Sequence, residues 1–283
     1  MAIITISRGS FSRGKEIAEK VAEKLGYECV SREILIEASH FFNVSEKALL
    51  KSIHETPSFL ERLTHGQDKY LSFFRAALLQ HIKKDNVVYH GHAGHLLVPE
   101  IAHVLKVRII ADMEDRIALC RAEKGLSREA AVAWLEKADS RRAAWTRYLY
   151  KVEVADPNLY DMVLRIGRLR VEGACELICA AAHRPTFQST PQSIKKICDL
   201  ALGSHVEAAL KKVCEASVTA EDGMVHVRVK GQKIKRSGVT SPKIQATVQE
   251  QIRNDLNREI QAVARDIPGV KEVVCDIDSP YCT

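Results

Sequence analysis

No stretch of this 283-residue chain approaches the ~20 consecutive apolar residues that a bilayer-spanning helix needs. No basic segment precedes an apolar run at the start. Met-Ala-Ile-Ile-Thr-Ile reads as a strand, so the expectation is a cytoplasmic protein without a transmembrane segment. A large excess of one charge is also missing. Residues 1–189 hold 28 basic and 24 acidic side chains, and residues 190–283 hold 14 and 12. Neither part is a polycation, so no nucleic-acid partner is expected, while a modest positive bias suits a phosphate site. None of the eight cysteines forms a Cys-x-x-Cys pair. In a cytosolic chain they are expected reduced, small and often buried. Cys175 and Cys179 share a helix face at i,i+4, but no His or acid stands at metal-ligand spacing, and no metal site is expected there. Internal repeats and low-complexity tracts are absent as well. What is present, 46% hydrophobic residues and 28% charged, supports a sizeable core and excludes a mostly disordered or fibrous chain.

Residues 1–183 alternate strand and helix patterns. Ile3-Ile4-Thr5-Ile6 suits a strand buried on both faces, followed by a helix over Lys15–Leu25 with Ile17, Ala18, Val21, Ala22 and Leu25 on one face. Further strands are expected at 28–30, 87–89, 104–111 and 162–166. Helices are expected through 31–84, with breaks near Asn43 and Pro57, and at 114–124, 127–137 and 171–182. Such alternation predicts an α/β fold, a parallel sheet between helical layers. Residues 184–193 (RPTFQSTPQS) read as a linker. Residues 194–283 follow another plan. A helix leads to a hairpin around Glu221-Asp222-Gly223, whose second strand puts Val225, Val227 and Val229 on one face. A long helix opened by Ser241-Pro242 and a last strand at 270–277 complete a small α+β (αββαβ) domain.

Between the first strand and helix stands Gly9-Ser10-Phe11-Ser12-Arg13-Gly14-Lys15-Glu16. It fits Gly-x4-Gly-Lys in the strand–loop–helix context that a phosphate loop requires. Backbone N–H groups of Gly9, Ser10, Ser12, Arg13 and Gly14 would surround phosphate oxygens, and Lys15 would reach the outer phosphates. Glu16 stands where such loops usually carry the Ser or Thr that holds magnesium. A second feature is arginine: Arg116, Arg121, Arg128, Arg141, Arg142 and Arg147 fall within 32 residues. Arg141-Arg142, read as lying beyond the end of a helix, are the best candidates for gripping a transferring phosphoryl group. His90, His92 and His95 form a strand end and turn, read as solvated or facing a cleft. Trp134 and Trp145 read as packing residues.

Three segments together resemble the bacterial cytidylate kinase-like proteins of the P-loop nucleoside monophosphate kinase superfamily. They are Ile3–Glu33 (ITISRGSFSRGKEIAEKVAEKLGYECVSRE), Val87–Arg116, and Gly125–Gly173 with LSREAA, Asp139-Ser140-Arg141-Arg142, Asp156-Pro157-Asn158-Leu159-Tyr160-Asp161 and Arg168-Leu169. The resemblance implies a P-loop kinase three-layer core with a five-stranded parallel sheet over residues 1–183. It implies a helical acceptor-nucleotide region near 31–84 and an arginine-bearing lid near 125–155. It also implies ATP and Mg2+, with γ-phosphoryl transfer to a nucleoside monophosphate, CMP or dCMP first. Lys15 would hold the β/γ-phosphates, and Arg141 and Arg142 would clamp the phosphoryl group. On the acceptor side the matching positions are Ser31, Arg32, Gly91 and His92. Ser31 stands where the family usually has aspartate, and Gly91-His92 where it usually has Gly-Arg. These departures, with the added C-terminal unit, motivate an alternative reading as a nucleotide-binding sensor. Val218–Val225 and Ile267–Val274 resemble a BON domain, which implies an anionic ligand, a lipid headgroup or a protein partner for residues 194–283. Lys230, Lys233, Lys235 and Arg236 would then form a basic patch.

Overall fold

A computed structural model describes residues 2–31, 33–54, 66–91, 93–230, 233–234, 242–278 and 281–282. The first strand, β1 (Ile3–Arg8), is flanked on both sides by parallel neighbours, so nearly every residue in it is buried. It feeds α1 (Gly14–Leu25), which buries Ile17, Ala18, Val21 and Ala22 and ends at Gly26 in the left-handed region. Next come β2 (Glu28–Val30), α2 (Glu33–Phe42) and α3 (Glu46–His54). The break between α2 and α3 follows from Asn43 at φ 50 and from Ser45, whose Oγ accepts the Ala48 N–H at 3.2 Å. The expected break at Pro57 lies outside the described residues. The chain continues through α4 (Gly66–Ile82), β3 (Val87–His90), a single turn α5 (Gly94–Leu97) and β4 (Val104–Ala111). Then follow α6 (Met113–Lys124), α7 (Arg128–Tyr150), β5 (Met162–Ile166) and α8 (Val171–Ala182).

The five strands form one parallel sheet in the order β2-β3-β1-β4-β5. Alternate residues serve two cores. Ile3, Val87, Tyr89 and Val104 face Ile34, Phe73 and Leu78 of α2 and α4. Ile4, Ile6, Val88, Leu105 and Val107 face Ile17 and Val21 of α1 and Cys175 and Ile178 of α8. Each fully buried aliphatic side chain contributes ~1.5–3 kcal/mol, so the central strand is a rigid platform. The three-layer α/β expectation holds.

The lid segment departs from expectation. The sequence pattern ends a helix near Lys137, but α7 runs unbroken to Tyr150, and Asp139, Arg141 and Arg142 lie on it. Ala138, Ala143 and Ala144 favour helix, no Gly or Pro interrupts, and burial of Leu135, Trp145 and Thr146 carries the packed face past Asp139-Ser140. The Trp145 indole N–H donates to the Ser52 carbonyl at 2.8 Å, tying α7 to α3.

The stretch 184–193 holds a 3-10 turn (Pro185–Phe187) and the start of α9 (Pro191–Leu210). Thr190 and Ser193 form a reciprocal capping box there, with Pro191 in the first turn. Helix α9 supplies Ile197, Ala201 and Ala208 to the core containing α4, and Val206 and Leu210 to a further core. That core joins β6 (Ala216–Glu221) and β7 (Met224–Val229) to α10 (Pro242–Arg265) and β9 (Glu272–Ile277). Strand β7 pairs antiparallel with β6 and parallel with β9, giving the expected αββαβ order. Two short strands, β8 (Lys233–Ile234) and β10 (Tyr281–Cys282), pair with each other. Of the expected basic patch, Lys230 is exposed, while Lys235 and Arg236 lie outside the described residues. So does Ser241. No described helix is long and apolar enough to cross a membrane.

Candidate active site

The loop Gly9–Arg13 leaves the C-terminal end of the central strand, where open parallel sheets place their ligands. Its backbone is drawn tight. Phe11 and Arg13 sit at φ 58 and 61, left-handed values that cost a non-glycine residue of order 1 kcal/mol or more each. The buried Ser12 hydroxyl donates to the Gly9 carbonyl at 2.9 Å. The Arg116 guanidinium donates from Nε to the Ser10 carbonyl at 2.8 Å and from Nη2 to Asp139 at 2.7 Å. Gly14 opens α1, and a Cβ there would stand 2.6 Å from Cβ and Cδ of Arg8. Only glycine lets the Arg8 side chain pass beneath the first turn of the helix.

Lys15 has an exposed side chain turned toward Glu19, 3.6 Å away. Glu16 pairs with Arg13 at 3.1 Å and with Lys20 at 3.3 Å. Arg142 approaches the loop from α7 and donates to the Arg8 carbonyl at 2.6 Å. Its neighbour Arg141 is exposed on the same helix, so the adjacent pair separates into one inward and one outward guanidinium. Arg108, from β4, donates to the Val154 carbonyl and to the Tyr160 hydroxyl, the latter at 3.1 Å. Arg8, Arg108 and Arg116 thus gather around Arg142, with Asp139 as the carboxylate beside them. Burial, then the field of Arg8, pushes the Arg142 pKa down to about 10; burial also lowers that of Arg8.

Two buried histidines extend the cluster. Burial and the nearby Arg8 push His90 down to about 4, and burial with Lys106 and Arg108 pushes His95 down to about 3. The His95 ring lies 4.6 Å from that of Tyr160. Among the described residues, Thr5 Oγ1, Arg8 Nε, His90 Nδ1 and both ring nitrogens of His95 are buried without a hydrogen-bond partner. Orphaned buried polar atoms are costly and normally satisfied, which marks this cluster as a candidate for polar contact.

Of the residues expected to meet an acceptor, Ser31 and Gly91 leave the same end of neighbouring strands, since Val30 pairs with Tyr89. The Ser31 N–H donates to the Glu33 carboxylate at 2.7 Å. Arg32 and His92 lie outside the described residues. Beside the loop, a cavity of about 550 Å³ opens between Phe11, Arg13, Ala111, Asp115, Ile166 and Gly167. Trp134 packs its ring edge on Phe11 at 5.4 Å, and Trp145 is buried, so both behave as packing residues. The sequence reading passed over Arg8 and Arg108. The signal was there: a cationic residue ends or interrupts an otherwise apolar core strand on the ligand-facing edge.

The model of the cytidylate kinase-like family matches residues 3–168. This chain belongs to that family. No curated protein matches it. Among solved structures it is similar to an uncharacterized protein from Eubacterium ventriosum ATCC 27560, at 16% identity and a TM-score of 0.49, covering 65% of this chain and 100% of that one. A shikimate kinase from Bacteroides thetaiotaomicron gives 12% and 0.40, with 65% and 99% covered. A sugar kinase from Janibacter sp. HTCC2649 gives 14% and 0.41, with 67% and 99% covered. The family membership makes this a kinase-like protein; the substrate is a separate question.

Proposed function

We propose that the protein transfers the γ-phosphoryl group of ATP to a nucleoside monophosphate, with CMP or dCMP as the first candidates. The carrying observation is the convergence of Arg8, Arg108, Arg116 and Arg142 on the loop, with a single carboxylate among them. A cationic cleft with orphaned donors fits a polyphosphate, because phosphoryl transfer needs positioning and charge stabilisation above all. The loop amides, Arg142 and a re-aimed Lys15 would hold the phosphates, and the 550 Å³ cavity would take the base. Mg2+ fits as an ion carried on the nucleotide phosphates, with Glu16 as the nearest loop carboxylate, since Mg2+ keeps several waters and needs only one or two protein ligands. Ser31, Arg32, Gly91 and His92 would meet the acceptor. Residues 194–283 would act as an appended module, with 184–193 as the boundary.

The test is a coupled ADP-release assay with Mg-ATP against CMP, dCMP, UMP, AMP and GMP. One monophosphate should be phosphorylated well above background, and Lys15→Ala should lower that rate ~100-fold or more with the fold intact. Wild-type turnover in that variant refutes the mechanism. The alternative, a sensor that binds nucleotide without turnover, is favoured by the outward Lys15 and predicts silence across the panel in protein that binds ATP.

A further inference from the structure

A second cavity, of about 540 Å³, lies well away from the phosphate loop. Its walls come from α4 (Arg75), the loop Pro99–Ile101, α9 and β6, so it sits where the family core meets the added C-terminal unit. Ile101, Leu200, Val218 and Ala220 give it an apolar floor. Gly203 keeps α9 close to β6, since a Cβ there would stand 3.3 Å from the Ala220 backbone nitrogen.

The charges around this floor divide into two sets. Lys195 is engaged by Asp199 at 3.1 Å, Asp222 at 3.2 Å and Glu221 at 3.4 Å, and Lys196 faces Glu100 at 3.7 Å. Arg75 and Glu207 form the other set. Both are half-buried, and among the described residues neither makes a hydrogen bond or an ion pair. They feel each other's field across the cavity without touching. Burial raises the Glu207 pKa, against the opposing fields of Arg75 and Lys211. The cavity therefore offers one free guanidinium, one free carboxylate and an apolar surface. A phosphate-rich ligand would need more than one free cation, and a purely apolar ligand would leave both charges unsatisfied.

We infer that this cavity binds a small zwitterion with an apolar side chain, an α-amino acid, whose carboxylate pairs with Arg75 and whose ammonium pairs with Glu207. The volume of about 540 Å³ leaves room for an aliphatic or aromatic side chain, so leucine, valine, methionine and phenylalanine are the first candidates. The inference is independent of phosphoryl transfer and concerns a different face of the fold.

Isothermal titration of the full chain, without nucleotide, tests it. The probes are L-leucine, L-valine, L-methionine and L-phenylalanine, each beside its deaminated and decarboxylated counterpart (for leucine, 4-methylpentanoate and 3-methylbutylamine). At least one amino acid should bind saturably, and its single-charge counterparts at least ~10-fold more weakly, because a charge-assisted hydrogen bond is worth ~1.5–3 kcal/mol. Arg75→Leu and the near-isosteric Glu207→Gln should each weaken binding by a similar factor, with ATP binding unchanged. No binding of any amino acid up to about 10 mM overturns the inference. So does equal binding of a single-charge counterpart, or unchanged binding in a folded Glu207→Gln variant. Loss of kinase activity leaves this readout untouched, so the two readings fail separately.

Discussion

His95 should make the protein acid-labile, and replacing it by Phe should remove a definite part of that lability. The ring is 3% exposed, its nitrogens lack partners among the described residues, and its pKa is held near about 3 against an ordinary 6.5. His90, 6% exposed, is held near about 4. The sign is that of a depressed histidine. Above pH 6.5 neither state binds the proton and the group contributes nothing. As pH falls below 6.5 the unfolded chain gains a proton that the folded chain refuses, so stability is lost until pH drops below the folded value. For His95 the loss at pH 5 relative to pH 8 is about 2 kcal/mol, and for His90 about the same. Against a typical total of ~5–15 kcal/mol, about 4 kcal/mol is a large share. The assay is urea unfolding at pH 8, 6.5 and 5, read by fluorescence of the buried Trp145. His95→Phe keeps the ring contact with Tyr160, so its absolute stability is not the readout. The readout is the pH 8-to-5 difference, which should shrink by about 2 kcal/mol. An unchanged difference with unchanged m-values would refute the burial argument.

Other outcomes follow from the same packing. Gly14→Ala should cost about 1–3 kcal/mol by forcing the Arg8 stem aside, and Arg8→Ala in the same chain should recover most of it; strict additivity in a thermal-unfolding cycle would rule out the contact. Trp145→Ala should destabilise by about 3–5 kcal/mol, through a large void and the loss of its hydrogen bond to Ser52, measured by denaturant unfolding followed by circular dichroism. Arg142→Met should leave stability within about 1 kcal/mol, since a buried cation among cations is lost together with one hydrogen bond, yet weaken ATP binding ~10–100-fold; parallel losses in both measurements would contradict a ligand-facing role.

Much of this fold was legible because apolar periodicity is local. Ile3–Ile6, Val104–Ala111 and Met162–Ile166 read as strands, and Val171–Ala182 as a helix, because each segment's own pattern matches its burial. The loop was legible for the same reason: two glycines and a lysine in fixed spacing after a strand. What escaped were features that depend on a distant partner. Asp139-Ser140 looked like a helix end, but Trp145 reaches across to Ser52 and holds the helix through it. Residues 184–193 read as a linker by composition, which gave no sign that Gln188 donates to the Ala182 carbonyl at 2.7 Å or that Thr190 caps a helix that both cores share. The Arg141-Arg142 pair carried no sign of which guanidinium faces inward; helix phase decides it, and phase was lost when the helix was ended early.

Arg8 carries the proposal of an anion site furthest. Its stem is locked under Gly14, its Nε has no partner among the described residues, and Arg142 lies against its carbonyl. Burial lowers the pKa of Arg8, and burial together with the fields of Arg8, Arg116 and Arg108 lowers that of Arg142. Nothing in the packing requires this, since Met or Leu would fill the same space at less cost. A bound polyphosphate would add an attraction to each of these guanidinium groups at once. On the proposed function it would meet Arg8 Nε, offset the charge of Arg142, and draw Lys15 in from Glu19. An anion there would offset the arginine fields at Arg142, so nucleotide should raise the melting temperature by more than its affinity for an isolated phosphate loop would give. High salt should shrink that gain, and a gain insensitive to salt would mean that the arginine cluster is not what the nucleotide meets.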